Sequence, residues 1–227
     1  MNKIYSKGKI FFVLLILVLN MMSLTVLAYP ISPTGEKLND FLDGLDVTRK
    51  WLPDHYVDWS SGTVLGKYRG AGTHCSTFVA AAATRLGVKI LKPTDYRGFL
   101  ANAQYDWLRN HGAQHGWAQV DNHLTAQQIA NQGCLVVISY ANPNRRRPGH
   151  IAIVRPSNKP KEAISMNGPQ IIQAGRKNYN SASLAKGFRN PQAAFRKHRL
   201  QYYAHDTPFC RLVVQNQDRR FSPAKKI

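Results

Sequence analysis

This chain is short of carboxylates: 12 Asp and Glu stand against 31 Lys and Arg in 227 residues, a net charge of +19. Such an imbalance argues against cationic partners and favours anionic ones, whether nucleic acid, acidic lipid or anionic cell-wall polymer. A specific anion site and plain solubility with a loosely held polyanion are both open readings. Cysteine is also rare, at three. No CxxC pair and no HExxH occur, which argues against a structural or zincin-type metal site. Internal repeats and low-complexity blocks are missing. There is a single long apolar run, at the N-terminus.

That run has the three-part layout of a secretory signal. Lys3, Lys7 and Lys9 precede Ile10 to Leu19, and Val26-Leu27-Ala28 ends the segment with residues a signal peptidase accepts. An uncleaved anchor is the competing reading, because Ile10 to Leu27 is nearly long enough to span a bilayer; Asn20, Ser23 and Thr25 dilute it. Cleavage after residue 28 leaves 199 residues, and the loss of three lysines lowers the net charge from +19 to +16. The remainder suffices for one domain with a core and holds no further apolar span. A secreted or periplasmic location follows, and export argues against nucleic acid as the natural target. Cys75, Cys134 and Cys210 all survive cleavage, and an odd number leaves at least one thiol free. A Cys134–Cys210 disulfide and two separate buried thiols remain equally open.

Periodicity places helices at Lys37 to Leu45, Cys75 to about Leu86, Phe99 to Asn110 and Thr125 to Gln132, with Thr125 as a cap. Trp51 to Gly70 reads as loop. Strands are expected at Leu135 to Tyr140, His150 to Arg155 and Gln170 to Ala174, separated by Asn142-Pro143-Asn144 and Asn167-Gly168-Pro169. Helices followed by an antiparallel sheet make an α+β fold. The layout divides into a leader (1–28), an N-terminal extension (29–65), a main domain (66–214) and a flexible basic tail (215–227).

The richest segment is Gly72-Thr73-His74-Cys75-Ser76-Thr77-Phe78-Val79, which puts a lone thiol at the start of an Ala-rich helix. Unpaired N–H groups and partial positive charge at a helix N-terminus favour a thiolate. Pro148-Gly149-His150-Ile151-Ala152 then sets an imidazole at a strand start. Thiol and imidazole are the two parts of a cysteine nucleophile. Antiparallel pairing of the next strand would bring Gln173 beside His150 to fix its tautomer, although Gln170, Asn178 and Asn180 lie close enough to serve instead.

In these segments the chain resembles the NlpC/P60 and CHAP branch of papain-like cysteine peptidases. His74-Cys75-Ser76-Thr77-Phe78-Val79 is similar to that branch's D-C-S-x-F-V-like nucleophile segment, with His74 for the aspartate. His150-Ile151-Ala152 looks like its H-V-G-I-like strand start, and Ile172-Gln173-Ala174 fills the slot of its third polar residue. The resemblance spans roughly Gly66 to Ala174 and implies a papain-like core with the nucleophile helix packed on an antiparallel sheet. It implies Cys75 as nucleophile, His150 as base and Gln173 as orienting group, with Tyr68, His74 and Ser76 beside the substrate. The activity implied is hydrolysis of amide bonds in peptidoglycan stem peptides, without a cofactor. A thiol acyltransferase is the nearest alternative chemistry, but permuted enzymes of that kind place histidine before cysteine, against the order here. The non-enzymatic alternative is a basic module that binds anionic wall polymer or lipid.

Other residues carry two readings each. Arg147, closing Arg145-Arg146-Arg147, either holds substrate carboxylates or belongs to a solvated turn. Trp59, with Trp51, Trp107 and Trp117, either lines a groove or fills the core. His111 and His115 have metal spacing on a helix, but Gly112 and Gly116 point to a loop.

Overall fold

A computed structural model describes residues 28–68, 70, 72–188 and 199–212; the expected leader up to residue 27 and the expected basic tail lie outside the described residues. Helix α1, Pro33–Gly44, begins where Ser32 accepts the Gly35 N–H at 3.0 Å and Pro33 supplies a preset φ. It buries Leu38 and Leu42. The stretch expected to be loop contains a small antiparallel hairpin, β1 (His55–Val57) with β2 (Val64–Lys67). Helices α2 (Cys75–Arg85), α3 (Leu100–His111) and α4 (His123–Asn131) follow. Asn122 caps α4 by accepting the Thr125 N–H at 2.9 Å, so Thr125 is the capped residue and not the cap.

The remaining strands are β3 (Ala118–Val120), β4 (Leu135–Tyr140), β5 (His150–Val154), β6 (Gln170–Gln173), β7 (Tyr179–Ser183) and β8 (Gln201–His205). Short helices α5 (Lys161–Asn167) and α6 (Leu184–Gly187) sit between them. All six strands pair antiparallel in the order β3-β8-β4-β5-β6-β7. The molecule is thus α+β, and this sheet alone has twice the strands that periodicity shows. No helix among the described residues is long and apolar enough to cross a membrane.

Strand alternation splits the core in two. Val137, Ile151, Ile153 and Ile172 face α2 and α3, whereas Val136, Ile138, Ala152, Val154 and Ile171 face the side of α4 and α6. Helix α2 carries Phe78, Val79 and four successive alanines, Ala80–Ala83, all at most 1% exposed. A helix apolar on every side is a buried helix, and its alanines let it lie close on β5. Trp51 closes over it, edge-on to Phe78 with ring centroids 5.2 Å apart. Gly62 stands under that indole, where a Cβ would come within 2.3 Å of the ring. Cys134 and Cys210 form a disulfide, tying the start of β4 to the segment after β8.

Candidate active site

Cys75 is the first residue of α2 and a free cysteine, 5% exposed. His74 precedes it and offers no side-chain cap, so the orphan N–H groups of the first turn are not taken up by one. Burial pushes the Cys75 thiol up, but the charge and hydrogen bond of His150 and the N–H groups of Ile151 and Ser76 outweigh it, and the thiol is held below its ordinary value. Burial likewise pushes His150 down, while the Cys75 thiolate and the Gln173 bond push it up, and the rise wins. The two shifts are mutual, each group favouring the charged form of the other.

The third member is fixed as tightly. Residues of β5 and β6 pair as Ile153↔Ile172 and Val154↔Ile171, a register that carries Gln173 toward the start of β5. Gln173 Oε1 lies 2.9 Å from His150 Nε2. Its amide Nε2 donates to the carbonyls of Lys177 (3.3 Å) and Gly187 (3.4 Å), which leaves Oε1 as the atom facing the imidazole. An acceptor there requires His150 to donate from Nε2, so Nδ1 is the nitrogen left for the thiol. At Gly187 a Cβ would come within 2.7 Å of Gln173 Oε1, and the edge of Phe188 packs on the imidazole at 4.5 Å.

His150 is positioned by a residue that sequence reading passed over. Asn102, 4% exposed near the start of α3, donates to the Arg147 carbonyl and accepts from the Asn142 N–H, both at 2.9 Å. It thereby clamps both sides of the β4–β5 loop. Gly149 completes this fit, because a Cβ there would lie 2.6 Å from Asn102 Oδ1 and 2.3 Å from the Tyr140 carbonyl. Asn178 acts in the same way, donating to the carbonyls of Val47, Lys50 and Trp51 and accepting from the Gly175 N–H. Of the other orienting candidates, Gln170 bonds Ser181 and Asn180 bonds Asp43. A buried asparagine bonded to backbone has no signature in one sequence.

A cleft of about 800 Å³ opens beside His150, lined by Thr73, Tyr140, Arg147, His150, Gln173, Arg176, Lys177, Tyr179 and Lys186. Other expected residues lie away from its lining. Tyr68, 40% exposed, packs edge-on against Tyr56 next to the β1–β2 hairpin. The His74 ring bonds the His55 carbonyl at 2.9 Å, and burial holds it below its ordinary value. Ser76 turns its N–H to the Cys75 sulfur, and its carbonyl accepts from Gln104 at 3.0 Å. Trp59 packs on the core, its carbonyl accepting the Trp51 indole N–H. Trp51 and Trp117 are buried, and Trp107 stacks on His115. No group of three or more His, Cys, Asp or Glu that could hold a metal occurs among the described residues. No family model matches the chain, and no curated protein matches it.

Proposed function

We propose that the protein is an exported papain-like cysteine hydrolase of the NlpC/P60 and CHAP kind, cleaving amide bonds in peptidoglycan stem peptides. The observation that carries the reading is the Cys75–His150–Gln173 chain of contacts, with the 2.9 Å bond from His150 Nε2 to Gln173 setting the imidazole for the thiol. The Cys134–Cys210 disulfide supports export, since such bonds persist in oxidising compartments.

The chemistry follows from the pairing. The Cys75 thiolate attacks the scissile carbonyl carbon, and the oxyanion meets the N–H groups at the start of α2. One such donor contributes about 3–4 kcal/mol to the transition state. His150 passes its proton to the leaving nitrogen as the C–N bond breaks, leaving a thioester on Cys75. Water then attacks that thioester, giving its proton to His150, and the carboxylic product departs as the thiol–imidazole pair is restored. No step calls for a cofactor.

The burial of Cys75, at 5% exposure, together with the net charge of +19, favours a second reading: a non-hydrolytic basic module adhering to anionic wall polymer. Mass spectrometry of muropeptides incubated with the mature chain separates the two. New fragments that vanish in Cys75→Ala establish hydrolysis and name the bond. Salt-sensitive sedimentation with sacculi, unchanged in Cys75→Ala and without fragments, establishes the binding module.

A further inference from the structure

Four cations surround the cleft beside His150: Arg147, Arg176, Lys177 and Lys186. All four are exposed at its rim. No carboxylate lines the cleft, and none of the four has an ion pair among the described residues. Their neighbours differ in this respect. Arg145 is paired with Asp106 and Arg155 with Asp43, so acids are present where cations serve the fold and missing where they ring the opening. Like charges gathered around a concave, low-dielectric surface focus their field into it. They repel one another, and an anionic occupant relieves that repulsion.

The position of the cleft says which part of a substrate that occupant belongs to. Its walls include His150 and Gln173 but not Cys75, so it extends on the imidazole side of the sulfur. In acyl transfer the imidazole protonates the departing amine, and the half of the substrate on this side is the leaving half. We propose that the cleft is an anion site for the leaving group, selecting amides whose amine component carries two carboxylates or a phosphate. This rests on the hydrolase reading for its orientation. It deepens that reading by assigning the charge of the substrate and the side of the bond on which the charge lies.

The test uses the full chain and a matched pair of alkylating reagents, N-bromoacetyl-glutamate with two carboxylates and its neutral bis-amide. In each, the Cys75 sulfur displaces bromide from carbon, so the two differ only in the charge presented to the cleft. Peptide mass spectrometry reads labelling of Cys75. The dianionic reagent is expected to react roughly tenfold or more faster than the neutral one at low salt, the lower end of what electrostatic focusing provides. That ratio should collapse toward unity near about 1 M NaCl, where the Debye length is only about 3 Å. Arg147→Gln combined with Lys177→Gln should abolish most of the preference, whereas Lys37→Gln combined with Lys89→Gln, which removes the same charge from exposed sites elsewhere, should retain it. Protection of Cys75 against the neutral reagent by glutarate at lower concentration than inorganic phosphate assigns carboxylates, and the reverse order assigns phosphate. A ratio at or below unity, an equal loss in both double variants, or protection by neither anion overturns the anion site while leaving the nucleophile intact. Failure of both reagents to label Cys75 overturns the hydrolase reading and the site with it. An anion preference without any muropeptide cleavage keeps the site and removes the peptidoglycan assignment.

Discussion

Gln173 shows how a neutral side chain tunes a charged pair. Its carbonyl accepts from His150 and so favours the imidazolium, one of the causes that raise His150. Gln173→Ala should therefore lower the His150 pKa and pull the basic limb of the pH–rate profile to lower pH. The rate should fall roughly tenfold, the worth of about 1–1.5 kcal/mol for one hydrogen bond. A profile unchanged in shape would show that Gln173 only packs. The sign at Cys75 is opposite: the His150 charge lowers it against burial, so iodoacetamide should label Cys75 at lower pH than an ordinary thiol. His150→Ala should move that labelling to higher pH, because burial, the largest influence on the thiol, is then opposed only by the N–H groups of Ile151 and Ser76. Cys75, His150 and Gln173 were legible in sequence because each stands at the boundary of an element whose pattern is clear. Asn102 was not, and Asn178 was read only as a rival to Gln173, since their partners are backbone carbonyls and amides up to 131 positions away, and any residue has those.

Among the elements, α2 depends on what covers it. Trp51 is fully buried, sits at a left-handed φ of 48° and is held by its N–H to the Gly62 carbonyl and its indole to Trp59. Trp51→Ala should cost about 3–5 kcal/mol, read as a shift of the urea midpoint. Because the indole touches Phe78 in the first turn of the helix that Cys75 opens, the same variant should also slow Cys75 labelling. Long apolar patterns revealed α2, β4, β5 and β6. Of the strands that periodicity missed, β3 has three residues, and β7, reading Tyr-Asn-Ser-Ala-Ser, is an edge strand with little apolar content. Their place is set by pairing with neighbours, a tertiary effect that no local window contains.

Across the whole molecule, two links join distant parts. Arg155, 12% exposed at the end of β5, holds Asp43 of α1 through two bonds of 2.6 and 2.7 Å. The Arg155 bond lowers Asp43 against the opposing effect of burial, and Asn180 adds to it. A lowered carboxylate stabilises the fold at neutral pH and loses that contribution as pH falls through its folded value. Asp43→Asn should cost about 1–2 kcal/mol at pH 7, moderated because Asp43 is half exposed, and the gap to wild type should close below about pH 4. The second link is Cys134–Cys210, which spans 76 positions. Closing a loop of that length removes about 4 kcal/mol of unfolded-state freedom in the chain-entropy view, so urea unfolding with and without reductant should differ by an amount near that. The strand order adds a constraint of timing. β8 is the last of the described strands but lies between β3 and β4, so a nascent chain presents β4 with one bare edge until Gln201–His205 has emerged. Final assembly of the sheet must therefore wait for β8, and a product cut short before Gln201 would expose a hydrophobic strand ready to pair with another copy.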